Sequence, residues 1–392
     1  MQYHVREYSW VKEAKAVNRM TKRLQSRRDL LVGATNVAAF AASGAVALSG
    51  MSRLATARTA GARAAADGAG LIPYGAAVQS DLLTSDQAYR EAVIANCQVI
   101  VPEGEMKWPI LRPTRDKYLF EKADTMVDFA RQNGLGLRGH TLVWYAGMPE
   151  WTNAIASRAE AERELVDHIE TIMFRYRGAV PSWDVVNEPL VDWPDDAASL
   201  RQFVWTKWLG ADYIAIALRT AAAADPDAQL VVNEYDIEFR GRRYAAKRRA
   251  FLQLLRSLRD KGVPLHAVGL QAHLFADRAI DRDGMQAFLA EIAALKLDVL
   301  ITELDVIDYE LPSNVGERDA LVADVATKFL ETVCEVVRPR AILTWGLTDR
   351  YTWVPIYFKR KDGTPNRPLP FDANYKPKPL FDVIEQFRRK SA

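Results

Sequence analysis

Eight short apolar runs, at residues 72–78, 97–101, 135–139, 183–187, 230–233, 267–271, 299–302 and 341–345, alternate with longer segments in which apolar residues recur every three or four positions. The longer segments read as amphipathic helices over 120–133, 159–174, 213–223, 243–260, 285–295 and 322–336. Strict alternation of this kind commits a chain to parallel strands, because two parallel neighbours need a crossover between them and the helix is that crossover. Eight such units fit the length of one closed barrel with long loops. The expected fold is therefore α/β, a single (β/α)8 TIM barrel occupying residues 67–392.

What precedes the barrel has a different composition. Residues 1–66 carry 11 Lys and Arg against 3 Asp and Glu, leaving 41 against 47 for the remainder, so the formal charge of +2 conceals a mildly acidic working domain. A basic excess confined to a leader argues against a nucleic-acid-binding face, and no nucleic-acid partner is expected. The leader has the order of an export signal: Lys22, Arg23, Arg27 and Arg28, then an Ala-rich apolar stretch over 30–48, then small residues around Ala62, Ala64 and Ala66. The segment 26–31, SRRDLL, resembles a twin-arginine signal, which predicts export from a bacterial cytoplasm through the twin-arginine machinery to the periplasm or medium. Asn36, Ser43 and several glycines interrupt the stretch, so no stable membrane anchor is expected. Residues 1–19 do not fit such a signal, and Met20 is read as the start of translation.

Only Cys97 and Cys334 are present, and both are expected to be buried free thiols. No Cys or His pair has metal-ligand spacing, and neither a metal nor another cofactor is expected. Phosphoryl- and acyl-transfer motifs are also missing, as is the dinucleotide glycine fingerprint.

Polar residues instead gather where the apolar runs end. Glu103 and Lys107 follow the second run, His140 and Trp144 the third, Asn187 and Glu188 the fourth, Asn233 and Tyr235 the fifth, Gln271 and His273 the sixth, Glu303 and Asp305 the seventh, and Trp345 ends the eighth. In a parallel barrel those ends form the catalytic mouth. One glutamate there is usually an ordinary ion-pair partner, but Glu188 and Glu303 on different strands suggest an acid and a nucleophile astride one bond. Tryptophans supply flat apolar faces for pyranose rings, while amides, His and Lys bind hydroxyls. Trp108, Trp144, Trp345 and Trp353 are the candidates for that lining.

The segments GHTLVW at 139–144, WDVVNEP at 183–189, QAHL at 271–274, ITELD at 301–305 and WGLTDRYTW at 345–353 resemble, in order, the signatures of glycoside hydrolase family 10, the endo-1,4-β-xylanases. The resemblance covers about 71–388 and implies a retaining mechanism on xylan or xylo-oligosaccharides. It makes Glu188 the acid/base and Glu303 the nucleophile, supported by Asn187 at the sugar 2-hydroxyl and by His273 held by Asp305. Glu103, Lys107, His140, Trp144, Asn233, Tyr235, Gln271, Trp345 and Trp353 become the substrate-binding set. Asp184 is left out of catalysis as a barrel-wall partner for backbone or arginine. Where the family usually has an asparagine that binds the next sugar upstream, this chain has Gly104. A related retaining β-glycosidase acting on short xylo-oligosaccharides, aryl β-glycosides or mixed β-glucans remains the second reading, and a non-catalytic sugar-binding barrel the third. No linker or repeat marks a separate carbohydrate-binding module, and the protein is expected to be a monomer.

Overall fold

The computed structural model describes residues 70–194 and 200–389. The export leader, its arginine pair and the Met20 start lie outside the described residues. Nine parallel-paired strands are present among the described residues: β1 Tyr74–Val78, β2 Val99–Pro102, β3 Gly136–Trp144, β4 Ser182–Asn187, β5 Gln229–Glu234, β6 Ala267–Leu270, β7 His273–Phe275, β8 Asp298–Ile307 and β9 Ile342–Thr344. They run in the order β6-β5-β4-β3-β2-β1-β9-β8-β7, and β6 also pairs with β8. That last pairing closes an eight-stranded parallel barrel, with the three-residue β7 prolonging β6 past a break at Gln271 and Ala272 and pairing His273 with Asp305. The expected (β/α)8 barrel is the observed architecture.

Period-two alternation sorts the strand residues. Ala77, Val101, Val231, Ala267, Leu300 and Leu343 form a small cluster inside the barrel, while Ile100, Leu230, Val232, Val299, Ile301 and Ile342 belong to the larger apolar layer beneath the helices. Helices Glu121–Asn133, Arg158–Arg175, Asp212–Ala224, Arg242–Asp260, Arg282–Ala294 and Val315–Cys334 supply the outer layer. The last begins seven residues ahead of the periodic pattern because the Asn314 side chain accepts the Glu317 amide N–H at 3.0 Å and so caps about two extra turns. The helices Ser80–Ser85, Gln87–Asn96, Val204–Leu209 and Pro379–Arg389 had no expectation; Ser80–Ser85 and Val204–Leu209 are too brief for a repeat to register, whereas Pro379–Arg389 is long enough and was missed.

Two expectations need correction. Trp108 lines no site: at 1% exposure its ring stacks on His168 with centroids 3.5 Å apart, and its indole N–H donates to the Leu142 carbonyl. It faces the helix layer while its neighbour Lys107 faces the mouth. Neither Cys97 nor Cys334 forms a disulfide among the described residues, but only Cys97 is buried; Cys334, in the last turn of its helix, is half-buried. Among the described residues no helix is long and apolar enough to cross a membrane.

Three strands break their alternation on approaching the mouth. Register shifts fall between His140 and Val143 in β3, Asp184 and Val186 in β4, and Ile301 and Leu304 in β8. Each shift lets successive residues point the same way, which is how bulges re-aim side chains next to active sites. In β4 both Val185 and Val186 join the outer core, so the phase changes before Asn187. In β8 both Thr302 and Glu303 reach Asn233.

Candidate active site

Glu303 is 4% exposed and Glu188 6%, so neither carboxylate relies on bulk water. Glu303 lies inside β8 and not after its end, because that strand continues five residues past the apolar run. Its Oε1 accepts the Asn233 side-chain amide at 2.6 Å, and its Oε2 faces His273 Nε2 at 3.2 Å. Behind the imidazole, Nδ1 meets Asp305 Oδ1 at 3.0 Å, and Asp305 Oδ2 accepts the Trp353 indole N–H at 2.7 Å. Burial pushes the His273 pKa down, but the negative charges and hydrogen bonds of Asp305 and Glu303 carry it well above the usual histidine value. Burial likewise pushes Glu303 up; the His273 hydrogen bond and nearby positive charge outweigh that and hold it below the ordinary glutamate range.

Glu188 follows β4 with φ of +53°, and its amide N–H donates to the Asn233 carbonyl at 2.8 Å. Its Oε1 accepts from Asn187 Nδ2 and from Gln271 Nε2, each at 3.1 Å. Its buried Oε2 has no hydrogen-bond partner. The two carboxylates are linked through amides, since Asn233 Nδ2 also donates to Asn187 Oδ1 at 2.9 Å. A donor serving two acceptors must be fixed in place, and Thr302 does so by donating its hydroxyl to Asn233 Oδ1 at 2.7 Å. Glycine is required at 269 for the same reason, because a Cβ there would lie 2.1 Å from Asn233 Oδ1.

The remaining candidates form a cage beside this pair. His140 and Trp144 lie within β3, whose bulge carries the strand beyond the expected end. Lys107 Nζ sits 4.5 Å from the Trp144 ring centre and 5.4 Å from that of Trp345; the His140 ring meets Trp345 edge-on at 5.0 Å. Glu103 accepts the Gln79 amide at 3.0 Å, and burial raises its pKa against the pull of Gln79 and Lys107. Tyr235 is nearly buried, with its ring 3.7 Å from Lys247 Nζ and its hydroxyl bonded to Asp192 and Arg201, and burial raises its pKa, with Glu188 adding to the rise and Arg201 opposing it.

Sequence reasoning missed several members. Asp184 is not only a wall residue: paired with Arg138 through both oxygens, it also meets His140 Nδ1 at 2.9 Å and so fixes that ring. Burial raises the Asp184 pKa, yet Arg138 and His140 bring it below the usual value. Alternation along β3 and β4 carried a usable signal, since Arg138, His140 and Asp184 all fall on the inward phase. Gln79 and Thr302 had none beyond their position near strand ends. Among the described residues no cluster of His, Cys, Asp and Glu is arranged to hold a metal ion.

A closed parallel barrel whose mouth holds two buried carboxylates, amide-linked and beside tryptophan, has the parts of a glycoside hydrolase. The chain belongs to glycosyl hydrolase family 10, which residues 61–387 match. Endo-1,4-beta-xylanase B of Thermotoga neapolitana is 36% identical over 305 residues, spanning 78% of this chain and 84% of that protein. Endo-1,4-beta-xylanase A of Phanerodontia chrysosporium is 35% identical over 321 residues, spanning 80% and 74%. The crystal structure of xylanase 10B from Thermotoga petrophila in complex with xylobiose superposes with a TM-score of 0.73 at 34% identity, covering 81% of this chain and 94% of that one.

Asp305→Asn separates charge from hydrogen bonding at this site. An amide there still receives the Trp353 N–H through its oxygen and offers its NH2 to His273 Nδ1, so a neutral His273 keeps donating Nε2–H to Glu303. What is lost is the positive charge. The Glu303 pKa, depressed in the wild type, therefore rises, and the acidic limb of kcat/KM moves to higher pH. A pH–rate profile with an unmoved acidic limb would contradict this account of Glu303.

Proposed function

We propose that the protein hydrolyses internal β-1,4 bonds of xylan as a retaining endo-1,4-β-xylanase, with Glu303 as nucleophile and Glu188 as acid/base. The observation that carries the assignment is the asymmetry between the carboxylates. Both oxygens of Glu303 are engaged by donors that favour its anion, whereas Glu188 keeps one buried oxygen, Oε2, without a partner. An oxygen left open in that way suits a group that must exchange a proton with a departing alcohol.

In the first step Glu303 attacks the anomeric carbon while Glu188 protonates the glycosidic oxygen, so the C–O bond breaks and the xylan alcohol leaves with the proton. The glycosyl ester that forms cancels the charge on Glu303. In the second step Glu188, now a carboxylate, takes a proton from water, and the resulting hydroxide displaces Glu303 from the same carbon. Asn187 would bind the 2-hydroxyl, and His140, Gln271 and Lys107 would position the sugar. Trp345, close to both Lys107 and His140, suits a roof that leaves no space for a hydroxymethyl group.

Glu303→Ala is expected to abolish xylan hydrolysis, and the wild type to release the β-anomer first, as two displacements at one carbon require. Proton NMR of the early products reads the second point directly. An α-anomer, or turnover by the variant, would overturn the pairing of roles.

Gly104 offers a test of the upstream subsite. Its φ lies outside the left-handed region, and a Cβ built there meets nothing within 4 Å, so asparagine fits without strain. A side-chain amide reaching the second sugar adds a hydrogen bond worth about 0.5–1.5 kcal/mol net. Gly104→Asn should therefore raise kcat/KM on aryl xylobiosides by roughly threefold to tenfold and leave aryl xylosides unchanged. An equal effect on both substrates would mean that this position is a backbone device and not a subsite.

Export through the twin-arginine machinery, to the periplasm or medium, is proposed on the order of charge, apolar stretch and small residues in the leader. Arg27→Lys combined with Arg28→Lys should leave the full-length protein in the cytoplasmic fraction of an expressing bacterium. Normal export of that double variant would point to an ordinary secretory signal.

A further inference from the structure

Glu238 is fully buried, belongs to none of the groups described so far, and forms no side-chain ion pair among the described residues. A carboxylate is not retained in such a place unless something there needs two acceptors. Two backbone donors converge on it: the Ile237 N–H on Oε2 at 2.8 Å and the Ala272 N–H on Oε1 at 3.1 Å. Glutamine could satisfy only one, because its NH2 would face the other N–H. The neighbouring cations are committed elsewhere. Lys247 pairs with Glu234 at 2.9 Å, and Arg248 binds the Ile237 and Phe239 carbonyls and Asp281.

What Glu238 holds is the break between β6 and β7. Ala272 is buried there with φ of +59°, a conformation that is strained for a residue bearing a Cβ and persists only where surrounding contacts impose it. The ladder satisfies the other backbone groups of the break. Gln271 N–H donates to the Glu234 carbonyl and Glu303 N–H to the Gln271 carbonyl, both at 3.0 Å, while Asp305 N–H donates to the Ala272 carbonyl at 3.3 Å. The Ala272 N–H alone turns away from the ladder, and Glu238 receives it. On either side of Ala272 stand Gln271, donating to Glu188, and His273, bonded to Glu303.

We propose that Glu238 is a positioning residue whose carboxylate, by fixing the left-handed backbone at Ala272, sets one hydrogen bond to each of the two reacting glutamates. The proposal rests on the assignment of Glu188 and Glu303 as acid/base and nucleophile. A loosened Ala272 lets Gln271 and His273 drift together, so both steps slow while the tryptophan-lined sugar contacts stay intact. Loosening His273 also weakens the bond that favours the Glu303 anion.

The test is Glu238→Gln in the full chain on xylan. Expected are a fall in kcat of about tenfold to a hundredfold, the scale of a small misplacement of reacting groups, a KM within about twofold of wild type and an acidic limb of kcat/KM moved to higher pH. Adding Ala272→Gly, which permits positive φ without a clamp, should recover at least about threefold of the lost kcat. Glu238→Asp, one methylene shorter, should show the same limb shift to a lesser degree. Wild-type kcat in Glu238→Gln, or a loss of kcat with neither limb shift nor glycine rescue, overturns the proposal. So does failure of both position-238 variants to fold, since a positioning role requires an intact barrel. Glu303→Ala measured alongside separates the two questions: activity in that variant overturns the assignment of the nucleophile, whatever position 238 does.

Discussion

A carboxylate with almost no exposed surface stays ionised only if fixed dipoles and charges replace the water it has lost, and at Glu303 the largest such replacement is His273. The rest of the mouth is arranged around keeping that imidazole charged and aimed. Asp305 supplies the counter-charge, and Trp353 supplies a donor to the far oxygen of Asp305. The pairing of β7 with β8 places His273 directly opposite Asp305. Asn233 serves the other oxygen of Glu303 and is itself oriented by Thr302 and by the absence of a side chain at Gly269. A buried carboxylate thereby keeps its charge in a place from which solvent is excluded, which is electrostatic preorganisation of the kind that active sites use.

A second relay of the same kind occupies the opposite strands. Arg138 and Asp184 form a buried pair on the inward phase of β3 and β4, and Asp184 passes a hydrogen bond on to His140 beside Trp345. Removing Asp184 would leave Arg138 charged and unpaired in the barrel interior, and removing Arg138 would leave the buried Asp184 with His140 alone to offset its charge, either of which is costlier than replacing both. The pair is therefore understood better as a fixed mount for His140 than as a source of stability. Glu234 and Lys247 repeat the device outside the site: the carboxylate accepts the Leu190 and Tyr235 N–H groups at 3.1 Å each, tying the loop that follows Glu188 to the end of β5.

All eight principal strands were legible because each carries a short, mainly apolar run, as parallel strands covered on both faces need, even where Gln98, Arg138 or Asp184 interrupts it. Their ends were not. The runs at 299–302 and 135–139 stop where polar residues begin, yet β8 continues to Ile307 and β3 to Trp144, since strands at a catalytic mouth turn polar before they stop pairing. The residues of the site were visible as polar groups after apolar runs, but their mutual contacts depend on three bulges that period-two counting cannot foresee. Asp184 illustrates the limit: it sits on the inward phase, but only the strand register, His140 opposite Asp184, reveals that it has a second partner. Trp108 illustrates the converse. Proximity in sequence to Lys107 suggested the site, while the helix starting at Trp108 turns its indole toward His168 and the outer core.

Backbone strain follows the same geography. Of the five non-glycine residues with positive φ among the described residues, Glu188, Asp236 and Ala272 follow the C-terminal ends of β4, β5 and β6 in turn. A relaxed barrel would let each strand end splay into its loop with ordinary dihedrals, and the side chains after Asn187, Glu234 and Leu270 would then diverge. Here the loops are drawn together instead, by Glu188 N–H on the Asn233 carbonyl, Leu190 N–H on Glu234 and Ala272 N–H on Glu238. The buried carboxylates of β5 and its loop thus hold the strained turns on both sides, and the cost of desolvating them is offset by backbone donors that would otherwise go unsatisfied. Strain at the mouth and unusual burial of charge behind it are then two aspects of one arrangement. Neighbouring strand ends are forced to converge so that Asn187, Glu188, Asn233, Gln271 and Glu303 share one set of hydrogen bonds.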